Sequence, residues 1–205
     1  MRLSRHDDGA RAPFDGFTIT LHWFTVFFIA LLAATGLVIR YLPSLAPMPA
    51  TLDIHRSAGA MVWLLVAIRL LWRATFARFP PFPSGMPRFQ QWLARRSEHL
   101  LYALLLLQPI TGLATSILLG RSFPLLGWSV PLLVPRNIEA WQILLSVHRV
   151  GAYALFAVAG GHTVAAFTHH YLLRDDVLEM MAPWLRRPSG RETAPEGAYP
   201  LRPLR

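Results

Sequence analysis

The sequence predicts an all-α fold: an integral-membrane bundle of four helices with both termini on the cytoplasmic side. Three features carry that expectation. Four stretches, roughly 17–39, 55–73, 99–119 and 148–172, are long and apolar enough for a bilayer core, which needs about 20 residues of helix. Charged residues make up only 15% of the 205-residue chain and apolar ones 54%, whereas an average soluble domain carries roughly 25% charged residues. The mean hydropathy is +0.38. Finally, the basic residues are not spread evenly but fall between the apolar stretches.

The first stretch follows Arg2, Arg5, Asp7, Asp8 and Arg11. It is too long for a signal peptide and has no small-residue cleavage site after it, so it is expected to be a retained span. Between the second and third stretches, Phe79-Pro80-Pro81-Phe82-Pro83-Ser84-Gly85-Met86-Pro87 is too dense in proline for a helix and should be an extended connector. The apolar run from Pro124 to Pro135 is too short to cross, so 120–147 is expected to hold a loop or an interfacial helix. Residues 1–14 and 184–205 are read as cytoplasmic tails flanking a membrane domain over 15–183, the second of them flexible.

All 20 basic residues are arginine, for a formal net charge of +9. The N-terminus, the 73–98 connector and the C-terminal region hold 14 of them; Arg40, Arg56, Arg121, Arg136 and Arg149 lie on the other side, and Arg69 sits within the second span. The excess of arginine on cytoplasmic flanks fixes the expected orientation. It also removes the case for nucleic acid, since no basic patch gathers with stacking aromatics. With no cysteine in the chain, disulfides, thiolate zinc sites, cysteine-held iron–sulfur clusters and covalently attached haem are excluded.

Ionisable groups inside a span are costly and are functional suspects. With the topology above, His55 and His148 lie near the outer face and His22 and His162 near the inner one. His162 follows His148 by 14 residues, about 21 Å along a helix and close to a whole number of turns, so both point the same way. Two imidazoles at one depth on different helices suit an iron with two axial ligands and a porphyrin around it; a structural zinc would want about four ligands at one point. Two separated pairs therefore suggest two b-type haems between facing helices. Gly59 and Gly151, each on the face of a ligand candidate, and Gly160 and Gly161 before His162 would give clearance for a flat macrocycle.

Arg69, 14 residues beyond His55, is expected at the inner site, where its fork suits a propionate or a quinone carbonyl. His169, two turns past His162, is expected to line a quinone pocket and to donate protons there, because imidazole titrates near neutrality. Arg56 and Arg149, each directly after an outer candidate, could steer a small anion to the outer edge. His6 is assigned to the tail and His99 to a helix-end hydrogen bond, while most tryptophans are assigned to interfacial belts.

Several segments together resemble the bacterial cytochrome b561 family. They are Thr20-Leu21-His22-Trp23; Ile54-His55-Arg56-Ser57-Ala58-Gly59 with Arg69-Leu70-Leu71-Trp72-Arg73; Glu98-His99-Leu100-Leu101-Tyr102 with Gln108-Pro109-Ile110-Thr111-Gly112; and His148, His162, His169-His170-Tyr171 and Met180-Met181-Ala182-Pro183. The likeness runs over roughly 15–183. It implies a multi-pass protein of the bacterial inner membrane whose two b haems are held by His22, His55, His148 and His162, exchanging electrons with ubiquinone. One activity within the family is oxidation of superoxide at the periplasmic face, so a superoxide:ubiquinone oxidoreductase is expected. Because this chain has no lysine, any steering charge would come from Arg40, Arg56, Arg136 or Arg149. The alternatives are an electron-transfer subunit exchanging quinol electrons with a partner redox protein and, outside redox chemistry, a metal-binding transporter or sensor.

Overall fold

The computed structural model describes residues 13–44, 47–77, 80–83 and 85–186. Four helices, α1 (Gly16–Tyr41), α2 (Met48–Thr75), α3 (Arg88–Leu118) and α4 (Ile138–Thr168), make up most of it, and each is long and apolar enough to cross a membrane. Even α1, with 26 residues, measures about 39 Å at 1.5 Å per residue, more than the roughly 30 Å of hydrocarbon. Large apolar side chains such as Phe27, Leu107, Val150 and Val164 stand exposed on the outside of the bundle. A contiguous apolar exterior of this kind is what lipid covers.

The helices begin earlier than the apolar stretches suggest: α2 at Met48 rather than 55, α3 at Arg88 rather than 99, and α4 at Ile138 rather than 148. Hydropathy marks only the lipid-buried length, whereas a helix continues until its sequence stops it. Here the stops are Pro47 and Pro87, each immediately before a helix, and Asn137, whose Oδ1 accepts the Ala140 N–H at 3.0 Å. Among its described residues, the proline-rich connector between Thr75 and Arg88 contains no helix.

Helices α1 and α2, α2 and α3, and α3 and α4 pack side by side. Val62, Val66, Leu105 and Leu155 form the central core, with Phe28, Ile29, Leu32, Leu70 and Leu101 around it. That core lies halfway along the bundle, separating a hairpin end from a terminal end, where α1 begins and α4 finishes.

The segment expected to be a loop or interfacial helix is instead a two-stranded antiparallel hairpin, β1 (Phe123–Leu125) and β2 (Trp128–Val130), followed by the opening turns of α4. Leu126 and Gly127, at φ 52° and 82°, make a two-residue turn with both central residues left-handed, the turn type that matches strand twist. Asn137 N–H donates to Leu118 C=O at 3.1 Å, closing the loop onto itself. Gly120 (φ 63°) passes so close to the Arg136 backbone that a Cβ there would collide with it.

At the opposite end, α4 continues through a π-helical turn (His169–Leu173), ended by Arg174 at φ 55°. Two 3-10 turns, Leu178–Met180 and Pro183–Leu185, then fold back under α1. Phe14 N–H donates to Met180 C=O at 3.2 Å, and Trp23 Nε1 to Met181 C=O at 2.8 Å. The expected tails lie almost wholly in 1–12 and 187–205, outside the described residues, as does His6.

Candidate functional site

The hairpin end of the bundle encloses a cavity of about 490 Å³ lined by all four helices and by Leu125 of the hairpin. His55 of α2 and His148 of α4 project into it. Their ring centroids are 6.3 Å apart with planes 84° to one another. Each ring is held by a threonine from a neighbouring helix. Thr35 donates its hydroxyl proton to Leu31 C=O at 2.8 Å, so its lone pair receives His55 Nδ1–H at 2.8 Å. Thr111 likewise donates to Gln108 C=O at 2.9 Å and receives His148 Nδ1–H at 3.0 Å. Both imidazoles are thereby set as Nδ1–H tautomers with Nε2 carrying the free lone pair. Gln108 Nε2 adds a bond to His148 C=O at 2.9 Å.

The spacing of these rings would suit one metal ion held between two imidazoles. With metal–nitrogen bonds of about 2.0 Å and ring nitrogens about 1.1 Å from the ring centre, two rings on opposite sides of one ion stand roughly 6.2 Å apart. Gly112 makes room for the His148 ring, since a Cβ there would come 3.0 Å from His148 Cε1, whereas at Gly36 a Cβ would make only ordinary contact, 3.5 Å from His55 Cε1. Gly59 lines the cavity as expected. Gly151 does not; a side chain there would run into Gln108, so this glycine serves helix packing rather than cofactor clearance.

His22 and His162 come within electrostatic reach of one another and of Arg69 at the terminal end. A Cβ at Gly160 or Gly161 would meet nothing within 4 Å, so α4 is open beside His162. Arg69 is half-buried over the Tyr102 ring, 5.5 Å from its centroid. It borders a small cavity with Trp72, Arg73, Glu98, Tyr102 and Met181, where Arg73 and Glu98 form an ion pair. His169 lies on the π-turn, its Nδ1 2.5 Å from Asp175 Oδ2, and so has a different partner from Arg69. His99 is exposed on α3.

The arginines near the cavity differ in freedom. Arg56 bonds to Asp53 at 3.1 Å and to Ser116 at 3.0 Å, and lies 5.2 Å from the Phe123 ring centroid, so it is built into the hairpin's seat. Arg149 and Arg40 are exposed and border the cavity on the flank between α4 and α1. There the Tyr41 and Tyr153 hydroxyls meet at 2.8 Å.

Sequence reasoning missed Thr35, Gln108, Thr111, Asp175 and the tyrosine pair. Thr35 is 20 positions from His55 and on another helix, a separation at which sequence carries no pairing signal. Thr111 and Gln108 sit in the quoted Gln-Pro-Ile-Thr-Gly segment, but nothing in one sequence marks them as partners of His148. Trp63 lines the cavity from the middle of α2.

A four-helix membrane bundle with paired imidazoles inside it is the architecture of a haem-binding cytochrome. The chain matches the prokaryotic cytochrome b561 family over residues 13–184 and belongs to it; this family binds b-type haem and transfers electrons in bacterial membranes. Among curated proteins it is 28% identical over 166 residues to "Cytochrome b561 homolog 1" of Escherichia coli K12, spanning 80% of this chain and 94% of that protein. It is 28% identical over 165 residues to "Probable superoxide oxidase CybB" of Yersinia pestis, spanning 80% and 93%. It is 30% identical over 131 residues to "Cytochrome b561 homolog 2" of Escherichia coli K12, spanning 63% and 69%.

Proposed function

We propose that this protein holds two b haems, one between His55 and His148 and one between His22 and His162, and acts as a superoxide:ubiquinone oxidoreductase of the bacterial inner membrane. The observation that carries this reading is the His55–His148 pair, 6.3 Å between ring centres with each Nδ1 committed to a threonine. Haem b, when bound, supplies reversible one-electron chemistry. In the net reaction two superoxide anions each lose one electron and become dioxygen, while ubiquinone gains two electrons and two protons and becomes ubiquinol.

The chain's own residues have three tasks. Thr35 and Thr111 hold the outer imidazoles through Nδ1, which leaves Nε2 free to act as the ligand atom. Arg40 and Arg149, exposed at the cavity's α1–α4 flank, present positive charge that raises the local concentration of a small anion; Arg56, tied into Asp53 and Ser116, contributes less. At the terminal end Arg69 offers its fork to a propionate or a quinone carbonyl. His169, oriented through Nδ1 by Asp175, keeps Nε2 for proton delivery to reduced quinone. The arginine count, 14 of 20 on the terminal flanks and the 73–98 connector, supports cytoplasmic termini and with them a periplasmic hairpin end.

The relative named as a probable superoxide oxidase supports the choice of donor. A second reading, an electron-transfer subunit serving a partner redox protein, draws on the relatives named only as cytochrome b561 homologues. Stopped-flow mixing of the purified oxidised protein with a superoxide pulse separates the two. Reduction near the diffusion limit that slows with ionic strength is expected; indifference to superoxide would favour the subunit reading. Absence of a Soret band and of a b-type alpha band after dithionite would overturn both.

A further inference from the structure

The hairpin presents one face whose two halves have different surroundings. In the β1–β2 register Phe123 pairs with Val130 and Leu125 with Trp128, so these four side chains share a face, while Pro124 and Ser129 share the other. Phe123 is buried against Arg56, and Leu125 lines the cavity. On β2 the same face runs past the edge of α2: Trp128 is 81% exposed. An indole standing this clear on the bundle-facing side of a hairpin is left uncovered by the described residues. What lies beside a membrane bundle at that level decides what covers it.

The level can be read from α2. Leu126 N–H donates to Ser57 Oγ at 3.0 Å. Ser57 stands nine residues after Met48, so it lies about 13 Å along the helix from its start. A helix of 28 residues is about 42 Å long and exceeds the roughly 30 Å hydrocarbon core by about 6 Å at each end when centred. Ser57 thus lies about 7 Å below the boundary between headgroups and acyl chains, so the hairpin tip tied to it sits at bilayer depth, beside the interfacial zone where tryptophan concentrates. The hairpin is held there by the Ser57 bond, by the burial of Phe123 and by the Asn137–Leu118 closure. Arg121 and Arg136, both exposed, bracket the segment, and Leu132 and Leu133 add exposed apolar surface. Cations above an apolar wedge match phosphate headgroups above acyl chains.

We propose that the β2 half of this face is a bilayer-contact surface, with Trp128 and Val130 seated at the headgroup–acyl boundary and Phe123 and Leu125 seated on the protein. The chain's lack of cysteine makes the test clean. Trp128→Cys and Ser129→Cys, each nitroxide-labelled and reconstituted in vesicles of phosphatidylcholine and phosphatidylglycerol, are compared by power saturation with oxygen and with a water-soluble nickel chelate. The oxygen-to-nickel accessibility ratio is expected to be severalfold higher at 128 than at 129. Equal ratios, with both labels open to nickel, would overturn the proposal and mark a water-facing surface suited to a soluble partner. Should W128C fail to fold, Val130→Cys, on the same face, gives the same comparison. Because no haem is read in this experiment, its outcome is independent of the cofactor assignment.

Discussion

Thr35 on α1 holds His55 on α2 through a 2.8 Å hydrogen bond, and the same hydroxyl is anchored to Leu31 C=O at 2.8 Å. A hydroxyl with its proton already donated can only accept, so the imidazole proton must sit on Nδ1. Thr35→Val keeps the shape and removes the acceptor. Partners of this kind are worth about 10–100-fold in ligand affinity, so haem transfer from the variant to apomyoglobin should accelerate by a factor in that range. A rate equal to wild type would separate the tautomer lock from ligation.

His55→Ala or His148→Ala should lower the pyridine haemochrome stoichiometry from two haems to one, and His22→Ala or His162→Ala should do the same for the other site. The central core of Val62, Val66, Leu105 and Leu155 stands between the pairs, so each site can empty alone. Equal loss from both sites in a folded variant would contradict the pairing.

Arg149→Ala and Arg56→Ala should differ in kind. Loss of exposed Arg149 should slow reduction by superoxide severalfold at low ionic strength and little at high, since a screened field is what it contributes. Arg56, bound to Asp53 and Ser116 beside Phe123, should instead cost about 1–3 kcal/mol in stability, as for a broken buried hydrogen-bonded charge. Thermal unfolding in detergent alongside the rate separates the two.

Asp15 caps α1 just outside the span, accepting the Thr18 N–H at 2.9 Å, the Thr18 hydroxyl at 2.6 Å and Trp72 Nε1 at 3.2 Å. Partial burial pushes its carboxyl upward, but the hydrogen bonds from Thr18 and Trp72 outweigh that and hold it below its ordinary value of 3.8. A group depressed on folding stabilises fully above its unfolded pKa and loses that contribution as pH falls through the folded one. Stability should therefore drop on acidification below about pH 4, and Asp15→Asn should flatten that drop. Asp15→Ala should cost about 1 kcal/mol at neutral pH. Melting temperatures measured from neutral pH down to about pH 2 provide the check.

His169→Gln should leave reduction of the oxidised protein by superoxide intact while lowering the yield of ubiquinol. Asp175→Asn should have the same effect to a smaller degree, because it disturbs only the orientation of His169. Slowing of the superoxide step by either change would count against a role confined to quinone.

The sequence alone determined the four membrane helices and the family, because hydropathy and the order of short motifs are properties of consecutive residues. His55 and His148 could be paired by counting along their helices. Tertiary structure decided what holds those rings: Thr35 and Thr111 act across helix interfaces, where partners are brought together by packing rather than spacing. It also showed that Gly112 abuts the His148 ring while Gly151 abuts Gln108, because which small residue faces a ring depends on how neighbouring helices rotate against one another. The hairpin at 123–130 could not be read for a related reason. Its short apolar run has no distinguishing period, and its conformation depends on the left-handed turn at Leu126–Gly127 and on Ser57, 69 residues away.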